Sequence, residues 1–304
     1  MLEDLDSHRD IARLTEGLLR KADADGRLPT PVADILAAAD LEETPETFLS
    51  PSSIAQAPAH LRGILGSIKG KVHAVLDRRT REVHINPALD LVGQRAYKRL
   101  HETSHDLFTW QHLGDGKTGF ADDEMTLSPK TTILFEREAN QGAAELLFQR
   151  ERFGDIAKDY AVSCAAVVEL ANMFGSSRHA AFRRYVETHR GAVAGVVLGP
   201  GPCERDPLTF RRREAICSNT WRDRFEDPAV WPRTLTAQPF AFVEQARACA
   251  TLGTPVGEWQ YPDRNNEITT LKVEAMSNSY RTFVLVWLPR REVFKRRRVI
   301  ANAA

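Results

Sequence analysis

Apolar residues recur at helical spacing in several stretches of this chain. Residues 8–26 read as a short, charged amphipathic helix and 28–39 as a second. Residues 42–58, with Pro and Ser, form a connection leading into a further segment at 60–68. The apolar runs 71–76 and 82–85, split by Asp77-Arg78-Arg79-Thr80-Arg81, predict a β-hairpin. An exposed edge of this hairpin would accept an extended peptide by strand addition. Ala96, Tyr97, Leu100, Leu107 and Phe108 then make an apolar stripe, and no Gly or Pro interrupts 94–112, which predicts a long helix. Residues 134–148 predict another, with small or apolar side chains at 139, 143, 146 and 147. The Gly-rich, acidic stretch 114–129 is a loop between these two helices, and its tip could act as a lid.

Further along, Tyr160 to His189 reads as two helices separated by Gly175, the outline of a helix-turn-helix. Gly199-Pro200-Gly201-Pro202 punctuates the chain and marks a boundary. Beyond it, 208–224 and 239–252 predict helices. Residues 267–275 and 280–288 predict strands joined through Ser277-Asn278-Ser279. The fold class is therefore α+β, in three regions: 1–155, 156–198 and 199–304. Trp221, Trp231, Trp259 and Trp287 are expected in the core, where large aromatic side chains contribute most.

Composition narrows the picture. The chain has 304 residues, 42% of them hydrophobic, enough for one large or two modest cores. Its 41 basic and 41 acidic residues cancel, so the whole molecule has no generic attraction to nucleic acid or anionic membrane. The first six residues, Met-Leu-Glu-Asp-Leu-Asp, are acidic where a secretory signal is basic and then apolar. No apolar run approaches a membrane span, and a cytoplasmic location is expected. Cys164, Cys203, Cys217 and Cys249 lie 39, 14 and 32 residues apart, matching neither a zinc knuckle nor a CxxC pair, so reduced and mostly buried thiols are expected. The clusters Arg211-Arg212-Arg213 and Lys295-Arg296-Arg297-Arg298 read as solvated surface.

The candidate chemistry sits in His101-Glu102-Thr103-Ser104-His105. A four-residue offset places two imidazoles on one helical face with a carboxylate beside them, the pattern of a zinc hydrolase. A hydrolytic site needs a third protein ligand and leaves the fourth position to water. The 134–148 helix offers two acids. Glu136 and Asn140 share a face, so Glu136 is the expected third ligand, with Asn140 bonding a ligand histidine from behind. Glu138 points about 200° away on an ideal helix and is the reserve. With a metal activating water, Glu102 acts as general base and then general acid. His112, Tyr97, Tyr160 and Tyr185 are the available oxyanion donors, and spacing does not choose among them.

These motifs resemble the ImmA/IrrE-type zinc metallopeptidases. In that family an HExxH helix is followed by one reading roughly E-x-x-A-N-x-x-A-A-x-L-L, and here the second helix runs Glu136-Arg137-Glu138-Ala139-Asn140-Gln141-Gly142-Ala143-Ala144-Glu145-Leu146-Leu147. Leu28 to Leu36 is similar to the family's early helix, and Glu82-Val83-His84-Ile85-Asn86-Pro87 to the strand before the active-site helix. The resemblance covers about the first 150 residues and continues weakly through 170–181. Five positions depart from the pattern: Ser104 stands where Gly is usual, Leu100 where Ala is common, Gly142 replaces an aromatic residue, and Phe148-Gln149 replaces Met-Pro.

The resemblance implies a gluzincin-like peptidase core over 1–155, a helix-turn-helix-like segment over 156–198 and a C-terminal domain over 199–304 that is GAF-like and sensory in some members. It implies a zinc ion on His101, His105 and Glu136, catalysis through Glu102, and cleavage of a specific protein. The expected substrate is a helix-turn-helix transcriptional repressor, cut in a stress or mobile-element response. The alternative is a proteolytically silent, metal-holding regulator that binds DNA or a repressor directly. DNA contact by 160–189 is less expected than packing, despite Arg178, Arg183, Arg184 and Arg190.

Overall fold

The computed structural model describes residues 7–44, 50, 53, 73–89, 92–112, 129–199, 209–249, 254–278 and 280–289. The expected segment at 60–68, the loop at 114–128, Cys203 and the basic cluster at 295–298 lie outside them. The chain divides into two compact units, 1–185 and 186–304.

In the first unit, α1 (His8–Lys21) buries Ile11, Thr15, Leu18 and Leu19, a single stripe at helical spacing. The buried Thr15 hydroxyl is satisfied by donating to the Ile11 carbonyl at 2.8 Å. Helix α2 (Val32–Ala38) is shorter than expected because it begins only after Pro31, and a residue preceding proline is pushed out of helical conformation. A three-stranded sheet follows, with β1 (Glu42–Glu43), β2 (Ala74–Asp77) and β3 (Glu82–Ile85) in the order β1-β3-β2. The predicted hairpin is β2–β3, in antiparallel register from Ala74↔Ile85 to Asp77↔Glu82. Its β3 arm is not an open edge: β1 pairs with it in parallel at Glu42↔Glu82 and Glu43↔Val83. Strand pairing along Glu82–Val83 is taken by β1, while β2 stands at the outer end of the sheet order.

The hairpin turn grips the next helix, α3 (Val92–Leu107). Arg81, at φ 64°, forms two hydrogen bonds to Asp106 at 2.7 and 2.8 Å and donates to the Ala39 and Asp40 carbonyls. Arg78 donates to the His105 carbonyl at 3.1 Å. Two cations thus meet the carboxyl end of α3, where the helix dipole favours them. A short 3-10 turn (Thr109–Gln111) ends this segment, and α4 (Pro129–Leu147) returns against α3. Beyond α4 come α5 (Arg152–Ala157), α6 (Cys164–Phe174) and α7 (Arg178–Thr188). Ser163 caps α6, and Gly175, at φ 68°, closes it in the left-handed conformation that glycine adopts without penalty.

Gln149, in the position where the family resemblance leads one to expect proline, has a structural task. It is buried, accepts a hydrogen bond from the Gly26 backbone at 2.8 Å, and donates to the Arg27 carbonyl at 2.7 Å and Thr30 Oγ1 at 3.2 Å. Thr30 Oγ1 in turn donates to the Leu147 carbonyl at 2.7 Å. These bonds tie the α1–α2 connection to the end of α4.

The second unit is a six-stranded antiparallel sheet in the order β6-β5-β4-β9-β8-β7. Its strands are β4 (Val193–Leu198), β5 (Thr209–Cys217), β6 (Thr234–Thr236), β7 (Gly257–Pro262), β8 (Ile268–Asn278) and β9 (Arg281–Trp287), with helices α8 (Asn219–Arg224) and α9 (Phe242–Ala248). The β8–β9 hairpin forms as the alternation predicts, closing at Asn278↔Arg281. Two readings change. The run 208–224 is strand then helix, broken at Ser218, whose hydroxyl accepts from the Trp221 backbone and donates to the Gly191 carbonyl. Residues 193–198, placed by sequence with the preceding helical region, are a central strand of this sheet, every residue of it buried. Trp221, Trp231, Trp259 and Trp287 are buried, and the first three indole N–H groups donate to the Glu226 carbonyl, Tyr261 Oη and the Pro239 carbonyl. Arg212 is less a surface charge than a clamp, donating to the Ala229, Trp231 and Pro232 carbonyls.

Cys164 and Cys217 are buried and Cys249 is half-buried. Burial pushes the Cys217 thiol up to about 11. Two outcomes are expected. Gln149→Leu should cost about 1–3 kcal/mol, read as a thermal midpoint lower by several degrees; an unchanged midpoint would remove Gln149 from the framework. Iodoacetamide at pH 8, followed by peptide mass spectrometry, should leave Cys217 unmodified in the folded protein and alkylate it after denaturation.

Candidate metal centre

Helix α3 buries five consecutive residues, Leu100, His101, Glu102, Thr103 and Ser104, more than one full turn. Its two hydroxyls are satisfied inside the helix: Thr103 Oγ1 donates to the Arg99 carbonyl at 2.9 Å and Ser104 Oγ to the Leu100 carbonyl at 2.8 Å. Helix α4 approaches closely here. A Cβ on Gly142 would lie 2.6 Å from Phe108 Cζ, 2.6 Å from Ser104 Oγ and 2.9 Å from Ser104 Cβ. Two of the sequence departures are therefore complementary: the missing side chain at 142 makes room for the hydroxyl at 104.

That approach sets Glu136 over the two histidines. His101 Nε2 and His105 Nε2 are 3.2 Å apart; Glu136 Oε2 is 3.3 Å from the former and Glu136 Oε1 is 3.4 Å from the latter. The rings meet edge to face, with an 85° angle between their planes. Among the described residues, His101, His105 and Glu136 form the group whose ligand atoms converge, and such a set could hold a metal ion. His101 is buried, His105 half-buried and Glu136 exposed, so the cluster opens on the Glu136 side.

Electrostatics follow from this packing. Hydrogen bonding to His101 and then to His105 holds the Glu136 carboxyl well below the usual carboxylate range. Burial raises the pKa of Glu102, and the neighbouring His101 and His105 act against it. Burial acts to lower the pKa of His105, but contact with Glu136 and the charge of Glu102 outweigh it, and the net direction is upward.

Glu138, the reserve ligand, is elsewhere. It is buried and receives Trp110 Nε1–H at 2.8 Å and the Gln111 amide at 2.7 Å, both on Oε2, while the Ser7 hydroxyl bonds Oε1. Asn140 does not bond a histidine as expected. Its amide donates to the Glu136 carbonyl at 2.7 Å and it accepts from Tyr97 Oη, because one further helical turn carries it past the histidines to the Tyr97 position. The residue behind His105 is Gln111, whose Oε1 lies 2.8 Å from His105 Nδ1. Sequence reading missed it, and a Trp-Gln pair just after the histidine-bearing helix carries no periodic signal. Of the oxyanion candidates, Tyr185 is buried and Tyr160 is bonded to Glu169. Tyr97 stands one turn before His101 on the same face of α3, bonded across to α4.

The helix pair α6–α7 is packed rather than displayed. A Cβ on Gly93, at the start of α3, would lie 2.5 Å from both Ser176 C and Ser177 N in the turn between them. Arg184 pairs with Glu145 at 3.0 Å and donates to the Arg150 carbonyl at 2.6 Å. Among the described residues, no helix is long and apolar enough to cross a membrane.

Gly142→Ala should destabilise the fold through overpacking by about 1–3 kcal/mol, read as a lower thermal midpoint. Ser104→Gly in the same chain should restore part of that loss, because it removes two of the three close contacts. A simple sum of the two effects in a double-mutant cycle would show that the helices do not touch there.

No protein-family model matches the chain. No curated protein matches it either. Among solved structures, a Mycobacterium tuberculosis transcriptional regulator is similar at 11% identity, covering 91% of this chain and 75% of that one with a TM-score of 0.48.

Proposed function

We propose that this protein is a zinc-dependent endopeptidase of the ImmA/IrrE type, with a gluzincin-like core in its first unit. The observation that carries the reading is the convergence of His101, His105 and Glu136 with the buried Glu102 beside them. Donors bound to zinc at about 2.0–2.1 Å in a tetrahedron stand about 3.3–3.4 Å apart. Here the two Nε2 atoms stand 3.2 Å apart, Glu136 approaches each with a different oxygen, at 3.3 and 3.4 Å, and with one donor atom per residue all three lie within 4.8 Å of one another. Two imidazoles and one carboxylate are the ligand set of a hydrolytic zinc site, which keeps one position for water.

Bound zinc supplies Lewis acidity and a water acidified toward neutrality. The rest falls to the chain. Glu102 takes the proton of the attacking water and delivers it to the leaving amine, a transfer that its place on the ligand-bearing turn of α3 allows. His101, His105 and Glu136 stay fixed because two rigid helices carry them. Glu136, on the open side, leaves room for a peptide to approach.

The substrate we propose is a specific protein, a helix-turn-helix transcriptional repressor, in a stress or mobile-element response; this part rests on the family resemblance alone. Direct DNA binding by α6–α7 is disfavoured, because a helix-turn-helix inserts the start of its second helix into the groove and here the preceding turn is packed on Gly93.

Elemental analysis of protein purified without chelator should find about one zinc per chain, lost in His101→Ala and Glu136→Ala. Glu102→Gln should keep the zinc and lose at least about a hundredfold in cleavage rate. A Glu102→Gln protein with its full cellular effect would instead favour a proteolytically silent regulator. Absence of zinc after reconstitution would end the metallopeptidase reading.

A further inference from the structure

Behind the histidine pair, the two ligands are supported unequally. His101 Nδ1 is buried with no hydrogen-bond partner among the described residues. His105 Nδ1 lies 2.8 Å from Gln111 Oε1, and a continuous chain of polar groups extends from there. The Gln111 amide nitrogen donates to Glu138 Oε2 at 2.7 Å. The same oxygen receives Trp110 Nε1–H at 2.8 Å, and Glu138 Oε1 is bonded to the Ser7 hydroxyl at the start of α1.

Hydrogen-bond accounting gives this chain a direction. An indole N–H can only donate, so Glu138 Oε2 is an acceptor. The Gln111 group facing that acceptor must then be its NH2, which leaves Gln111 Oε1 facing the imidazole. A carbonyl oxygen only accepts, so His105 Nδ1 must carry the proton. With Nδ1 protonated, the lone pair of the neutral ring is on Nε2, the atom that points at His101 and Glu136. The alternative Gln111 orientation would set its oxygen against the Glu138 carboxylate.

We infer that Glu138, acting through Gln111, is a positioning residue that selects the Nδ1–H tautomer of His105 and holds its Nε2 ready for a metal, and that it is not itself a ligand. The inference rests on the metal-site reading above. It goes further in assigning Ser7, Trp110, Gln111 and Glu138 one joint task. Burial makes the selection firm: Glu138 and Gln111 are both buried, and a flipped amide there would leave a donor and an acceptor unmatched. Outer partners of this kind fix ligand rings elsewhere, and their loss weakens metal binding by about 10–100-fold.

The substitution Glu138→Gln separates the possibilities. With its oxygen at the Oε2 position, a glutamine still accepts from Trp110 and Gln111 and can donate to Ser7, so the relay survives. A metal ligand would not survive the loss of its carboxylate. The test uses the full chain and two readouts: imidazole 15N correlation spectra of the metal-free protein, which report each histidine's tautomer, and Zn2+ affinity by competition with a chromophoric chelator. In the wild type, His105 is expected as Nδ1–H. Gln111→Leu should abolish that preference and weaken Zn2+ binding by about 10–100-fold. Glu138→Gln should keep the tautomer and stay within about threefold of wild-type affinity. Thermal melts serve as the control that both variants fold.

A wild-type His105 in the Nε2–H tautomer would overturn the inference. So would Gln111→Leu with unchanged tautomer and affinity, and so would Glu138→Gln losing zinc as completely as Glu136→Ala, which would make Glu138 a ligand. The tautomer is read without metal, so a protein that binds no zinc would defeat the metallopeptidase reading while leaving this result to stand or fall by itself.

Discussion

The close passage of α4 over α3 at Gly142 is the constraint on which the rest of the site depends. Two helices carrying ordinary side chains at their contact stand 8–10 Å apart, and a glycine lets them come nearer. Here the gain is specific, because Phe108 and Ser104 fill the space a Cβ at 142 would need. Six residues before Gly142 on the same helix stands Glu136, whose carboxylate reaches both histidines only while that spacing holds. The geometry of the cluster is therefore a packing result before it is a chemical one.

Other parts of the first unit hold α3 in place for this contact. The β2–β3 turn delivers Arg78 and Arg81 to the end of α3, and the latter reaches the end of α2 as well. Gln149 binds the α1–α2 connection to the end of α4. The turn between α6 and α7 closes on Gly93 at the other end of α3. A segment with the outline of a DNA reader packs here against the start of α3, and its Arg184 pairs with Glu145 and donates to the Arg150 carbonyl. The second unit owes its cohesion to aromatic packing with satisfied indoles, and nothing among its described residues gathers metal-binding side chains.

Much of the site was legible in the sequence, because helical periodicity maps four-residue offsets directly onto a shared face. That is how His101, His105 and Glu136 came to be chosen, and how Glu138 came to be set apart. Relations between helices were not legible. Periodicity places Asn140 on the face of Glu136 but does not say which residue of α3 stands opposite, and it is Tyr97. Gln111 and Glu138 meet because a short 3-10 turn folds back under α4, and neither residue type is unusual where it stands. In the second unit, 208–224 was misread because its charged run suits a helix surface or an exposed strand equally. Pairing with β4 decides for the strand up to Cys217. Ser218 was a visible N-cap signal that the reading passed over.

In the proposed site, two helices present two imidazoles and one carboxylate to a single ion. X-ray absorption spectroscopy at the zinc K-edge of the stoichiometrically loaded protein tests it most directly. A first shell of nitrogen and oxygen at about 2.0–2.1 Å is expected, with outer-shell scattering from two imidazoles. A sulfur shell at about 2.3 Å, or oxygen scattering without any imidazole signature, would contradict it.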